Sequence, residues 1–301
     1  MAIRDRQSLQ VVRTFSSREG AGPLLAFSRS GHLMATGSPL GKIRVFNVAS
    51  GRVVASLGPI SKTYTEKDIN DNTQAISQVD VIAMSPDGSL VAAAENIGEV
   101  FGNKYYTWSS TSVHIWDVRA GRKIAVLRGH NAGRRPAQIV SATFSPDGDM
   151  LATGGQDGTA RLWHAQTGRL IATLSHHGRT PYGLAFTPDG KYLVTATYEH
   201  VRVWDLQSMQ SSVRVSAQSG YEGFESFALD HSGRVVAVGQ ADNRIRLWSL
   251  ERGKILRTLG TKQQWRFVIA VAFSPDGALL ATVAWEGGEK AVLELWGLSP
   301  Q

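Results

Sequence analysis

The stretch Val140–Leu174, VSATFSPDGDMLATGGQDGTARLWHAQTGRLIATL, decides the fold. It contains four short apolar runs, Ser141–Phe144, Met150–Thr153, Ala160–Trp163 and Leu170–Leu174. The turn signals SPDG, GQDG and QTG separate them. Each run is too short for a stable helix and alternates as a half-buried strand does. The stretch therefore reads as a four-stranded antiparallel meander. Proline at the second turn position presets its backbone angle, and the closing glycine accepts a positive φ.

Working outward, the glycine of that first turn recurs at Gly31, Gly88, Gly148, Gly190, Gly233 and Gly277, at intervals of 57, 60, 42, 43 and 44 residues. An aromatic ends a strand in each copy: Phe46, Trp116, Trp163, Trp204, Trp248 and Trp296. Trp116 and Trp204 are followed by Asp117 and Asp205. On these residues the chain resembles the WD-repeat β-propeller family, whose repeats of about 40–45 residues each form a four-stranded blade. The resemblance runs over nearly all of the chain. It implies an all-β fold, a single propeller over residues 1–301, with blades at approximately 21–57, 79–128, 138–174, 181–215, 224–259 and 268–298. Seven blades are more usual in the family. A seventh here would need about 40 residues, and the candidate gap, 58–79, holds 22.

Two further expectations follow from the resemblance. The first is closure: strand 9–15 is expected to pair with the C-terminal blade, which supplies only three strands of its own and would otherwise leave an open edge. The second is a hydrogen-bonded set of His, Ser or Thr, Asp and Trp that supports each blade. The third copy matches it in full at His130, Thr153, Asp157 and Trp163. The fourth matches with His177, Thr195 and Trp204, but Glu199 and His200 stand where the Asp is expected. Asp242 and Trp248 match in the fifth, and the first has Phe46 and no Asp. These residues are expected to be structural.

Composition narrows the classes. The 42% apolar and 19% charged content is that of a globular chain, and 31 Gly favour a turn-rich β protein. Without cysteine there is no disulfide framework or thiolate chemistry. The N-terminus MAIRDRQSLQVVRTF lacks the apolar core of a secretory signal, and no run reaches the ~20 residues of a membrane span. A cytoplasmic location is expected. The net charge of +7 raises a nucleic-acid reading. Its cations, however, recur at equivalent repeat positions, such as Arg44, Arg161, Arg202 and Arg246, which spreads them instead of clustering them.

Catalysis finds little support. The innermost strands, LLAF (24–27), VIAM (81–84), SATF (141–144), GLAF (183–186), SFAL (226–229) and AVAF (270–273), hold no Asp, Glu or His. Asp80 and Glu225 stand just before two of them, which is short of the three or more converging groups that a metal or acid–base centre needs. The adjacent His176 and His177 point to opposite sides of an extended chain and chelate poorly. No glycine-rich phosphate loop precedes a helix. No catalytic residue, metal or cofactor is expected.

An interface is better supported. In a meander, the connections between blades and the turns from second to third strand emerge at the same end. The two insertions, 58–79 and 95–112, both lie there, and Phe101–Tyr105 is expected to turn a hairpin that prolongs its two strands. This end is rich in the residue types that anchor interfaces. The blade-to-blade connections carry Tyr64, Arg134, Arg135, Arg179, Tyr182, Tyr221, Phe224, Trp265 and Arg266. The second-to-third connections add Phe101, Tyr105, Tyr106, Trp108 and Trp285. The expected role is a non-catalytic scaffold, monomeric in itself, binding a protein or peptide within a larger assembly. Single-stranded nucleic acid is the alternative that aromatics beside cations would suit. Acidic neighbours such as Glu66, Asp68, Glu95 and Glu99 oppose it. A channel enzyme is the third reading.

Overall fold

A computed structural model describes residues 2–4, 11–14, 24–37, 42–58, 73–101, 104–132, 135–216, 224–240, 242, 244–260, 267–274, 276–285 and 291–298. No helix occurs among them. The chain divides into two compact units, 1–173 and 174–301, each carrying three successive antiparallel meander sheets.

In the first unit, sheet one is built from Leu24–Phe27, Leu33–Gly37, Ile43–Asn47 and Val53–Leu57. Sheet two is built from Thr73–Met84, Leu90–Phe101, Lys104–Asp117 and Arg122–Arg128. Sheet three is Ile139–Phe144, Met150–Gly155, Thr159–His164 and Leu170–Ser175. In the second unit, sheet four is Gly183–Phe186, Tyr192–Ala196, His200–Asp205 and Ser211–Ser216. Sheet five is Phe224–Leu229, Val235–Gln240, Ile245–Ser249 and Lys254–Leu259. Sheet six has three strands, Phe267–Phe273, Leu279–Trp285 and Ala291–Gly297. Six meanders in succession are the blade pattern of a six-bladed propeller.

The turn chemistry behaves as its residue types require. In SPDG, Ser85 donates its hydroxyl to Asp87 at 2.6 Å while its oxygen accepts the amide of Leu90 at 2.9 Å. Gly88 closes the turn at φ +77°. The same pattern holds at Ser145–Asp147, Thr187–Asp189 and Ser274–Asp276. These side-chain bonds satisfy backbone groups that the hairpin leaves unpaired.

Apolar residues from neighbouring strands and sheets fill the core. In the first unit Ala92, Ile115, Leu127, Ile139, Leu151 and Trp163 form one buried cluster, and Ile43, Val45, Val79, Val91 and Trp116 belong to another. In the second unit Val194, Val201, Val236 and Val238 form a third, and Ile245, Leu247, Val268 and Leu280 a fourth.

The expected closure strand is present at Val11–Thr14, but its partner differs. It pairs antiparallel with Ala2–Arg4, and the sixth sheet keeps three strands among the described residues. A local hairpin closes a short loop, whereas pairing with residues near 295 would close a very long one at greater entropic cost.

Sheet two departs most from the pattern. Its first three strands run 12, 12 and 14 residues, against 4 to 7 in the other five meander sheets. Residues 73–79 of the expected 58–79 connection are strand, paired from Thr73↔Phe101 to Val79↔Glu95. The expected hairpin forms too, with Phe101 opposite Lys104. The result is a three-stranded ribbon continuing about 20 Å beyond the rest of the sheet, at ~3.3 Å per residue.

Candidate functional site

The blade-support set fixes the ends of the strands from which the loops spring. In the third repeat His130 Nδ1 lies 3.0 Å from Asp157 Oδ1, and its Nε2 lies 2.8 Å from Thr153 Oγ1. Trp163 Nε1 donates to the same Thr153 oxygen at 2.9 Å. The indole is a donor only and an ionised carboxylate an acceptor only, so Nδ1 carries the proton and Thr153 donates to Nε2. Burial pushes the His130 pKa down, against the pull of Asp157, and the ring is neutral. Burial raises the Asp157 carboxyl, but hydrogen bonds from His130 and Thr159 outweigh it and hold the group below the usual carboxylate range. Gly155 makes room for the pair: a Cβ there would run into His130 Nδ1 and lie 2.9 Å from Asp157 Oδ1.

The other repeats keep only part of this arrangement. In the fourth, the histidine is His176, not the expected His177. His176 Nε2 is 2.8 Å from Thr195 Oγ1, which also accepts Trp204 Nε1 at 3.0 Å, and His176 Nδ1 donates to the Leu174 carbonyl at 3.1 Å. Burial pushes its pKa down to about 4. His177 takes up a left-handed turn conformation, φ +52°, which carries it out of the strand.

In the fifth, Asp242 does not join Trp248. Its carboxylate takes Arg246 at 2.6 Å, and the threonine position is held by Val238. Trp248 Nε1 is therefore buried with no hydrogen-bond partner among the described residues. The sixth repeat has a match that sequence reading missed, with Trp296 Nε1 donating to Thr282 at 3.0 Å. The second repeat has Ala93 at that position. There His114, stacked on Trp116 at 5.7 Å, is pushed down to about 4 by burial, with Lys123 and Arg128 adding to the effect.

At the loop end, two residues expected to bind a partner are held by the protein itself. Tyr182 donates its hydroxyl to the Thr197 carbonyl at 3.0 Å, and Arg179 pairs with Glu199 at 2.8 Å. Tyr182 is a clamp on its own sheet, while the exposed Arg179 pair is a weak tether. Phe101, Tyr105, Tyr106, Trp108, Arg135, Phe224 and Trp285 all lie in strands. Tyr64, Arg134, Tyr221, Trp265 and Arg266 lie outside the described residues.

The register of the ribbon sorts its residues into two faces. Rows Thr73–Phe101–Lys104, Ala75–Glu99–Tyr106 and Ser77–Ile97–Trp108 alternate with Gln74–Val100–Tyr105 and Ile76–Gly98–Thr107. Successive rows belong to opposite faces. Phe101, Tyr106, Trp108 and Ile97 thus share one face, and Tyr105 belongs to the other.

Below the ribbon, the innermost strand bulges at Asp80, between the pairs Val79↔Glu95 and Val81↔Ala94. Equivalent bulges fall at Val140, Glu225 and Ile269. A bulge re-aims the side chain it carries. Asp80 accepts Gln138 Nε2 at 3.4 Å, and Gln138 accepts Gln156 Nε2 at 3.0 Å, a polar chain across the loop ends of repeats two and three. Burial raises the Asp80 carboxyl above its usual value. Among the described residues no group of three or more His, Asp or Glu is placed to hold a metal.

The family description "WD domain, G-beta repeat" matches residues 121–164, 168–205 and 253–288. The first two matches each run from an outermost strand through the third strand of the next sheet. The chain thus carries WD repeats in these three stretches. Similar proteins include small ribosomal subunit protein RACK1y of Oryza sativa subsp. japonica, 30% identical over 146 residues, 46% of this chain and 41% of that protein. Pre-mRNA-processing factor 19 of the same plant is 23% identical over 80% of this WD-repeat chain and 40% of its own length. Nuclear distribution protein PAC1 of Arthroderma benhamiae is 26% identical over 78% of the chain and 52% of its own. The chain spans about half, or less, of each relative. No helix among the described residues is long and apolar enough to cross a membrane.

Proposed function

We propose that this WD-repeat chain is a non-catalytic scaffold that holds a protein or peptide partner at its loop end, with the ribbon of repeat two as the specific element. The observation that carries this reading is the extension of the strands at 73–84, 90–101 and 104–117 in one repeat alone. Four of the six sheets share one turn chemistry, and among the described residues a single sheet is prolonged. Segments that depart from the repeated pattern are where a rigid scaffold carries recognition. The ribbon also offers a backbone edge and an aromatic-bearing face, the two features by which extended peptides are captured. The names of the relatives point to large assemblies of ribosome and pre-mRNA processing, which is consistent with a protein partner.

The test is native affinity purification with mass spectrometry, using the full chain and a variant in which residues 96–110 are replaced by Asn-Gly. The scaffold reading expects specific partners that depart with the ribbon while thermal stability is kept. Partner recovery unchanged by the replacement would remove the ribbon from the proposal.

A further inference from the structure

Within each unit, one kind of contact joins a sheet to the one that follows it. Two apolar residues of a third strand pack in one cluster with two from the first strand of the next sheet. Ile43 and Val45 meet Ile82 and Met84, and Val113 and Ile115 meet Ala142 and Phe144. Val201 and Val203 meet Phe227 and Leu229, and Ile245 and Leu247 meet Val271 and Phe273. Each pair is spaced two residues apart, so its side chains leave the same face of the strand.

The first and last sheets carry the corresponding pairs exposed. In sheet six, Leu293 and Leu295 stand opposite Val283 and Ala281, the register that Ile245 and Leu247 hold against Gly239 and Ala237 in sheet five. Ile245 and Leu247 are buried, whereas Leu293 and Leu295 are 65% and 56% exposed. In sheet one, Leu25 and Phe27 stand opposite Thr36 and Met34, as Ile82 and Met84 stand opposite Ala93 and Val91 in sheet two. Met84 is buried, whereas Leu25 and Phe27 are 40% and 47% exposed. Among the described residues no other two exposed large apolar side chains share a strand face. Val53 and Val54 are adjacent, as are Leu170 and Ile171, and adjacent residues of a strand point to opposite sides. Contiguous exposed apolar side chains mark surfaces that associate.

We infer that these two faces dock on each other between copies of the chain, with Leu293 and Leu295 of one copy packing on Leu25 and Phe27 of the next. The contact that joins consecutive sheets inside each unit is thereby repeated between molecules. A second copy is the occupant because it carries the matching face, at the very positions that make this contact within the chain. Sheet six against sheet six fits less well. Its third strand is an edge among the described residues, and the antiparallel register that sets Leu293 opposite Leu295 also sets Glu294 opposite Glu294. The contact is therefore head-to-tail, between two different faces. It makes the chain self-associating, in place of the monomer expected from the sequence. The ribbon of repeat two takes no part, and each proposal can fail without the other.

The test is sedimentation velocity on the full chain over a concentration series. The mass is expected to exceed that of one chain and to rise with concentration. Leu293→Glu/Leu295→Glu and Leu25→Glu/Phe27→Glu each put charge on one face, and each is expected to sediment as a single chain. Mixed in equal amounts, the two variants are expected to form a complex of two chains and no more, because each keeps the face that the other lacks. A misfolded variant would not be rescued in this way. All four substitutions fall at exposed positions and are expected to keep the melting temperature. Replacement of residues 96–110 is expected to leave the association unchanged. An unaltered chain that stays single at every concentration would overturn the inference, whether the two faces are then covered within one chain or by a different protein. So would a mixture of the variants that stays single, or association that persists in either variant alone.

Discussion

In the third repeat, His130, Asp157, Thr153 and Trp163 pair their polar atoms with one another, and its strands stop at six residues. The second repeat has Ala93 where Thr153 stands, and its strands run on for about another six residues past its core. One repeat is closed on itself and the other reaches outward. The closed repeat shows how the fold is held, and the extended one shows where this chain differs from a generic array.

Breaking the closed repeat is expected to have the largest effect. Thr153→Val keeps the side-chain shape and leaves the Trp163 indole and His130 Nε2 without partners at a fully buried site. Each unsatisfied group costs roughly 1–3 kcal/mol, so a loss of about 2–4 kcal/mol is expected in denaturant unfolding. The equivalent position in repeat two has nothing to lose, and Ala93→Ser is expected to leave stability within about 1 kcal/mol.

Acid comes next. His176 titrates at about 4 in the folded chain, against 6.5 when unfolded. Between those values the unfolded chain binds a proton that the folded one refuses. Stability is therefore fully present above pH 6.5 and falls as the pH drops toward 4, by up to about 1.4 kcal/mol per unit for this group. Unfolding midpoints measured at pH 7 and pH 5 report the slope, and His176→Gln is expected to reduce it.

A smaller gain is expected in repeat five. Val238→Thr offers Trp248 the acceptor that Thr153, Thr195 and Thr282 give their indoles. A stabilisation of about 0.5–1 kcal/mol, read as a rise of ~2–4 °C in melting temperature, would show the set to be transferable. Least affected should be the chain whose residues 96–110 are replaced by Asn-Gly. The core of repeat two resides in Val81–Ala94 and Val113–Leu127, so its melting temperature is expected to move by less than ~2 °C.

Much of the fold was legible because its punctuation is local. The turn glycines and the strand-ending aromatics carry the sheet count, and SPDG declares its own hydrogen bonds. What was not legible depended on geometry at a distance or on a single residue of offset. His176 and His177 are adjacent just past the strand, and the left-handed turn falls at His177 while His176 reaches Thr195. Asp242 and Trp248 suggested part of a set, but the residue that matters is Val238, four positions before the one and ten before the other and brought to the site by strand pairing. The hairpin near Phe101 was readable from its turn, whereas TQAISQV at 73–79 lacks strict alternation and becomes strand because the prolonged neighbour offers it an edge. At the loop end, residue type pointed to Tyr182 as a contact, and a carbonyl within its own sheet claims it.

The central claim, that the ribbon of repeat two holds the partner, is tested most directly by hydrogen–deuterium exchange of the full chain alone and with the captured partner bound. The account predicts slowed exchange in residues 73–79 and 95–110, with the third repeat unchanged. Protection that spares the ribbon and falls on repeats three to six would contradict it.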